Sequence, residues 1–286
     1  MRLILIILTI LIVFFGTVII YDTHRFVVER FCFKSDKVKG RLRIVFLSDL
    51  HNKHFGTENS KLIDAVMKEN PDIVVIGGDM LTARLGESMD TALKLVRELA
   101  DKYPVYYGIG NHEFRLFLYE DDYAGMKEKF LEGIKHENVK LLRNEMVEIP
   151  DKNVRIYGSE IEKRFYKRLE KTPMEPEYMD SILGEADEEY FNILLAHNPV
   201  YFEEYALWGA DLTLAGHVHG GIMKLPIIGG VVSPMVTLFP KYDGGVFNEY
   251  GKTMLLSRGL GTHTIPIRVF NPGELNVIDI NIEERQ

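Results

Sequence analysis

Residues 3–21 are almost wholly Leu, Ile, Val and Phe, interrupted only by Thr9, Gly16 and Thr17. A run of that length matches one helical crossing of a bilayer core, about 20 residues. It lacks the polar face that a helix buried on one side would carry. A cleaved signal peptide would have a shorter apolar region ending in small residues. This one ends Ile19-Ile20-Tyr21-Asp22. The pattern therefore predicts a transmembrane anchor over residues 1–21 and a basic-flanked connector over 22–40, in which Arg25-Phe26-Val27-Val28 can pair as an edge strand. His24 reads as a membrane-interface residue.

Beyond residue 41 the pattern changes to short apolar runs alternating with amphipathic stretches. Arg43-Ile44-Val45-Phe46-Leu47-Ser48, Asp72-Ile73-Val74-Val75-Ile76 and Val105-Tyr106-Tyr107-Gly108-Ile109 read as buried strands. Between them, residues 58–70 put Leu62, Ile63, Val66 and Met67 on one helical face, and residues 88–102 do the same with Leu93, Val96, Leu99 and Ala100. Three strand–helix units in succession predict a parallel sheet with its strand tips along one edge. Residues 123–136 read as a further helix. Lys140-Leu141-Leu142-Arg143 and Val154-Arg155-Ile156-Tyr157 read as strands around a turn at Asp151-Lys152-Asn153. Residues 162–189, charge-rich with Pro173 and Pro176, read as a mobile lid or surface excursion. Phe191-Asn192-Ile193-Leu194-Leu195-Ala196 and Asp211-Leu212-Thr213-Leu214-Ala215 complete the strands, with a helix from Pro199 to about Trp208 between them.

Composition narrows the picture. The 286 residues, 46% hydrophobic and 27% charged, suit a globular domain with a sizeable core. A net charge of −8 leaves no basic footprint for nucleic acid. Cys32 is the single cysteine, so no internal disulfide forms; without a His or Cys at ligand spacing it reads as a small apolar residue. Arg25, Arg30, Lys34, Lys37 and Lys39 follow the apolar run while Arg2 alone precedes it, a count that favours a cytoplasmic domain. A short tail with one Arg also begins many exported, signal-anchored domains, so the side of the membrane stays open.

The chemistry sits at the strand tips. Successive apolar runs end in Asp49-Leu50-His51, Gly77-Gly78-Asp79, Gly110-Asn111-His112-Glu113, His197-Asn198-Pro199 and Gly216-His217-Val218-His219. Any one tip has an ordinary surface explanation; five in order, none of them apolar, do not. On extended backbone Asp49 and His51 point the same way. The donor set is carboxylate, amide oxygen and imidazole without thiolate. That selects Mn2+, Fe2+ or Zn2+ over a structural Cys-zinc site, and the number of ligands suits two ions. His54, His136 and His263 match no ligand position; His136, on a charged helix, reads as a solvated residue.

These five motifs, in this order, resemble the calcineurin-like metallophosphoesterase family, over the chain from about Arg41 to the end. The resemblance is greatest to its single-pass, membrane-anchored bacterial branch, similar to UDP-2,3-diacylglucosamine hydrolase-like phosphoesterases. Ser257-Arg258-Gly259-Leu260-Gly261 and Pro266-Ile267-Arg268 also fit that branch. The resemblance implies a four-layer αββα sandwich with two mixed sheets, behind one transmembrane helix. It implies one ion on Asp49, His51, Asp79 and His219 and another on Asp79, Asn111, His197 and His217, with Asp79 bridging. Metal-activated water would attack phosphorus in line, with His112 as the general acid. The substrate implied is a lipid-linked or nucleotide-sugar phosphoester, and the domain spans residues 41–286. Where serine/threonine phosphatases continue the second motif into Asp-Arg-Gly, this chain has Met80-Leu81-Thr82-Ala83, which argues against protein dephosphorylation. The rival reading is a catalytically inactive metal-binding scaffold of the same fold. Finally, residues 220–240 are apolar yet punctuated by Gly and Pro. They suit either a core loop or a loop whose Ile227, Ile228 and Phe239 touch a bilayer or an acyl chain.

Overall fold

The computed structural model describes residues 1–167, 171–221, 223–225, 229–232, 240–262 and 266–282. Ile227, Ile228, Phe239 and His263 lie outside them. A helix α1 (Arg2–Thr23) leads into strand β1 (Phe26–Phe33) and β2 (Leu42–Leu47). Then follow α2 (Ser60–Glu69), β3 (Ile73–Ile76), α3 (Asp90–Ala100), β4 (Val105–Gly108), α4 (Asn111–Leu118), α5 (Met126–Gly133) and β5 (Val139–Leu142). The second half runs β6 (Glu145–Ile149), β7 (Val154–Gly158), α6 (Tyr178–Leu183), β8 (Phe191–Leu195), α7 (Phe202–Trp208) and β9 (Leu212–Ala215). A small ribbon, β10 (Met223–Leu225) and β11 (Gly229–Val232), precedes β12 (Gly245–Glu249), β13 (Lys252–Leu256) and β14 (Gly273–Ile280).

Two mixed six-stranded sheets form, in the orders β1-β14-β2-β3-β4-β5 and β12-β13-β9-β8-β7-β6. In the first, only the β14–β2 pairing is antiparallel. The alternation along β2 explains the sandwich. Ile44 and Phe46 face Ile156, Ile193 and Leu214 of the second sheet, while Val45 and Leu47 face the layer holding Leu62 and Val66 of α2 and Leu95 and Val96 of α3. Both faces are covered, so the strand reads as unbroken apolar sequence rather than alternation. Each such side chain, wholly buried, contributes about 1.5–3 kcal/mol. On the outer face of the second sheet Tyr157, Leu194 and Ala196 pack with Tyr201 and Tyr205. The result is the four-layer αββα arrangement.

Two readings change. Strands β5 and β7 do not flank one hairpin: β5 closes the edge of the first sheet, and β6 pairs with β7 across the turn at 150–153. Residues 145–149, Glu-Met-Val-Glu-Ile, lack regular alternation and have no fully buried position, so nothing in them marks a strand except the partner. The described residues of 162–189 are no loose excursion, because Phe165, Met174, Tyr178 and Met179 are buried in a cluster with Tyr157 and Tyr201. The edge strand expected within the connector is β1, longer than the four residues that suggested it and paired in parallel with β14 along its whole length.

Candidate metal centre

The parallel strands end on one edge, and the tips turn sharply there. Asp49, His51, Asp79, His217 and His219 all adopt positive φ, between 48° and 73°. Non-glycine residues seldom take that conformation, and it concentrates at functional sites, where the surrounding structure must hold it. Gly78, at φ +94, lets the second and third tips meet: a Cβ there would lie 2.0 Å from the backbone nitrogen of Gly110. No side chain fits that gap.

The tips bring the expected donors together. Nε2 of His51 and Nε2 of His219 face each other at 3.2 Å, and Oδ1 of Asp49 lies 4.0 Å from the first and 3.4 Å from the second. Nε2 of His197 is 3.2 Å from Oδ2 of Asp79 and 3.8 Å from Oδ1 of Asp49. Donor atoms of Asp49, His51 and His219 lie within 4.8 Å of one another, and so do those of Asp79, His197 and His217. The same holds for His51, Asp79 and His112, so His112 stands at the edge of the cluster. Asn111 is 8% exposed, and its Oδ1 has no hydrogen-bond partner among the described residues. Carboxylate oxygens and converging imidazole nitrogens that offer lone pairs to the same small space fit divalent cations, and the orphaned amide oxygen at the neighbouring tip is a further donor of the same hard type.

Electrostatics agree. Burial pushes Asp49 up; His197 opposes this and Asp79 reinforces it, leaving its carboxyl at about 6. Burial also raises Asp79, but the imidazoles of His197, His112 and His51 together hold it well below the carboxylate range. Desolvation would lower His197, yet Asp79 and Asp49 raise it to about 10. Without a cation, a proton on His197 offsets part of the negative charge of the paired carboxylates.

Two histidines are set in opposite tautomers. Nδ1 of His197 donates to the carbonyl of Gly77 at 2.8 Å, so its Nε2 is the nitrogen that faces the carboxylates and the one whose lone pair is free for a cation once its proton is displaced. Nδ1 of His112 instead accepts from the backbone N–H of Ala83 at 2.9 Å, so its ring proton sits on Nε2. Met80-Leu81-Thr82-Ala83 thus has a use: Met80 and Leu81 are anchored in the core, and Ala83 orients His112.

Several contributors escaped the sequence reading. Glu113, fully buried, accepts from the N–H groups of Asp79, Met80 and Gly110 at 2.8, 2.9 and 3.1 Å, and from the Tyr107 hydroxyl at 2.8 Å. It ties the second tip to the third. Asn271 donates to the carbonyls of His219 and Gly221 at 2.8 and 2.7 Å. Its only signal in sequence is a polar residue near the start of β14. Ser48 donates to Oδ2 of Asp49 at 2.6 Å. His54 is exposed and meets Thr91 at 3.2 Å; His136 lies 3.3 Å from Asp101 at the surface.

Residues 42–221 match the family described as calcineurin-like phosphoesterase. The chain belongs to that family. Its fold, its divalent-metal chemistry and its standing as a phosphoester hydrolase follow from membership. The chain is 27% identical to an uncharacterized metallophosphoesterase of Aquifex aeolicus over 264 residues, 91% of this chain and 93% of that one. A second, from Campylobacter jejuni, is 29% identical over 249 residues, 85% of this chain but only 60% of the relative's length. A phosphodiesterase of Escherichia coli is 24% identical over 226 residues, 77% of this chain and 75% of that protein.

Proposed function

We propose that the chain is a membrane-anchored, di-metal phosphoester hydrolase acting on a lipid-linked or nucleotide-sugar phosphoester. The opposed tautomers of His197 and His112 at one cluster of strand tips carry this reading. They separate a nitrogen that offers a lone pair from one that offers a proton. Asp49, His51, Asp79 and His219 would hold one ion, and Asp79, Asn111, His197 and His217 the other. Two divalent ions of the Mn2+, Fe2+ or Zn2+ type supply a Lewis-acid clamp for the phosphoryl oxygens and a nucleophile from water at neutral pH.

The chain's own residues do the rest. Asp79, ionised and placed between the two donor sets, would serve both ions. Glu113 and Asn271 keep the tips from relaxing out of their positive-φ conformations. His112 directs its Nε2 proton at the leaving oxygen, which takes it as the ester bond breaks. A departing alkoxide is basic enough to accept it.

The anchor reading rests on α1, 22 residues, apolar and long enough to cross a membrane, with none of its 18-residue apolar window buried. The test is bound metal per chain, measured on the full-length protein together with hydrolysis of bis-(p-nitrophenyl) phosphate. Two ions and turnover support the enzyme. Metal without turnover favours the inactive scaffold.

A further inference from the structure

Helix α1 does not end in solvent. Its last two residues, Asp22 and Thr23, are 3% and 8% exposed. Nζ of Lys53, two residues past His51, donates to the Thr23 carbonyl. The Thr23 hydroxyl accepts from the backbone N–H of Arg268 at 3.1 Å. Arg268 is itself buried, and its guanidinium donates to the carbonyls of Gly259 and Gly261. The N–H of Gly261 in turn donates to the carbonyl of Asp49 at 2.6 Å. Further back along the helix, the rings of Phe14 and Phe15 each lie 6.3 Å from Phe270, the neighbour of Asn271. The helix is therefore bound to the loops that carry Asp49, His51 and His219.

Strand register places this end of the molecule. Phe26, where β1 begins, pairs with Gly273, and Phe33 pairs with Ile280. In the antiparallel β14–β2 pair, Ile280 opposes Leu42 at the start of β2 and Asn276 opposes Phe46 near its tip. The chain thus leaves α1 at the ligand-bearing edge and runs away from it along β1, eight residues or about 26 Å.

We propose that the metal-centre edge of the domain is seated on the bilayer surface, with the lipid headgroup layer as its partner and the Phe270 loop reaching through that layer to the upper acyl chains beside the helix. The proposal rests on α1 being a membrane crossing. At about 1.5 Å per residue its 22 residues span about 33 Å, enough for a hydrocarbon core of about 30 Å, which leaves Asp22 and Thr23 at the interface. Two residues of chain reach at most about 7 Å, so His51 lies at headgroup depth once Lys53 touches Thr23. Phe15 sits eight residues, about 12 Å of helix, before Thr23. Phe270, 37% exposed and at φ +53, meets the helix at that level.

The test uses the full chain in lipid nanodiscs with Cys32→Ser, carrying one cysteine-linked fluorophore at Phe270→Cys or at Lys39→Cys. Lys39 is exposed and lies beyond the far end of β1. Lipids spin-labelled just below the headgroup should quench the label at 270 and leave the label at 39 bright. Equal quenching, or stronger quenching at 39, overturns the proposal. Hydrolysis of soluble bis-(p-nitrophenyl) phosphate by both labelled proteins checks the fold and the hydrolase reading independently of orientation. If expression of the full-length chain yields a processed, soluble protein from which residues 1–23 have been cleaved, the anchor and this proposal fall together, while that activity remains.

Discussion

The backbone N–H of Ala83 donates to Nδ1 of His112 at 2.9 Å, and this one contact sets the tautomer of the ring. With Nδ1 occupied as an acceptor, the proton of the ring sits on Nε2, at the edge of the His51–Asp79 cluster. A donor there matters in proportion to how badly the leaving oxygen needs a proton. His112→Ala should keep both metals and lose about 10²–10⁴ in kcat on an alkyl phosphoester. On a nitrophenyl ester, whose leaving group departs unaided, the loss should be far smaller. Equal losses on the two substrates would assign His112 to phosphate binding instead.

Asp79→Asn should behave in the opposite way. Its Oδ2 lies 3.2 Å from His197 and 3.9 Å from His51, between the two donor sets. Its Oδ1 also accepts the backbone N–H of His112 at 2.7 Å. Removing the charge weakens the hold on both ions at once, so metal content and turnover should fall together. A variant that retains two metals and the parent rate would sink the assignment of Asp79 as bridge.

The tips were legible because buried parallel strands leave a sharp contrast. Phe46-Leu47 followed by Ser48-Asp49, or Leu214-Ala215 followed by Gly216-His217, marks both the end of an element and the start of chemistry. What supports the tips was not legible. β14 carries buried Glu274, Asn276 and Asp279, so it does not read as a central strand. Its polar side chains are matched only in three dimensions: Asp279 with Arg43 at 2.6 Å, Asn276 with the Ser257 hydroxyl at 2.9 Å, and Glu274 with Arg258. Glu113 hid for a related reason. Its neighbours Asn111 and His112 account for the motif's polarity, and nothing in the sequence says that three backbone N–H groups from two tips converge on its carboxylate.

Glu113→Gln is the test of that convergence. A carboxylate accepts from all four of its donors, whereas a Gln amide turns an NH2 group toward N–H donors on one side. Each hydrogen bond to a charged group is worth about 1.5–3 kcal/mol, so a loss of about 3 kcal/mol in unfolding free energy is expected. Because those donors fix the Asp79 and Gly110 tips, metal affinity should also drop about 10–100-fold. Denaturant unfolding of the metal-free protein and a chelator competition measure the two effects separately. An unchanged midpoint and an unchanged affinity would show that the tips hold themselves.

Metal removal should reveal a pH dependence of definite sign. His197, raised to about 10, contributes stability that is complete below its unfolded value of 6.5 and is lost as pH rises toward 10. Burial, reinforced by Asp79, raises Glu113 to about 7, so it binds a proton more readily folded than unfolded; stability falls between 4.5 and 7. Asp49, at about 6, acts in the same direction between 3.8 and 6. Asp79, held low, opposes them only below its ordinary 3.8, where stability is lost as pH falls. The metal-free protein should therefore be more stable near pH 5 than near pH 9. Bound metal reverses the trend, since cations compete with protons for the same imidazoles and carboxylates and win as pH rises. The gap in Tm between metal-loaded and chelator-stripped protein should widen steadily from pH 5 to pH 9. A gap that is constant or narrows would mean that these side chains do not exchange protons for metal, and the ligand assignment would fall with it.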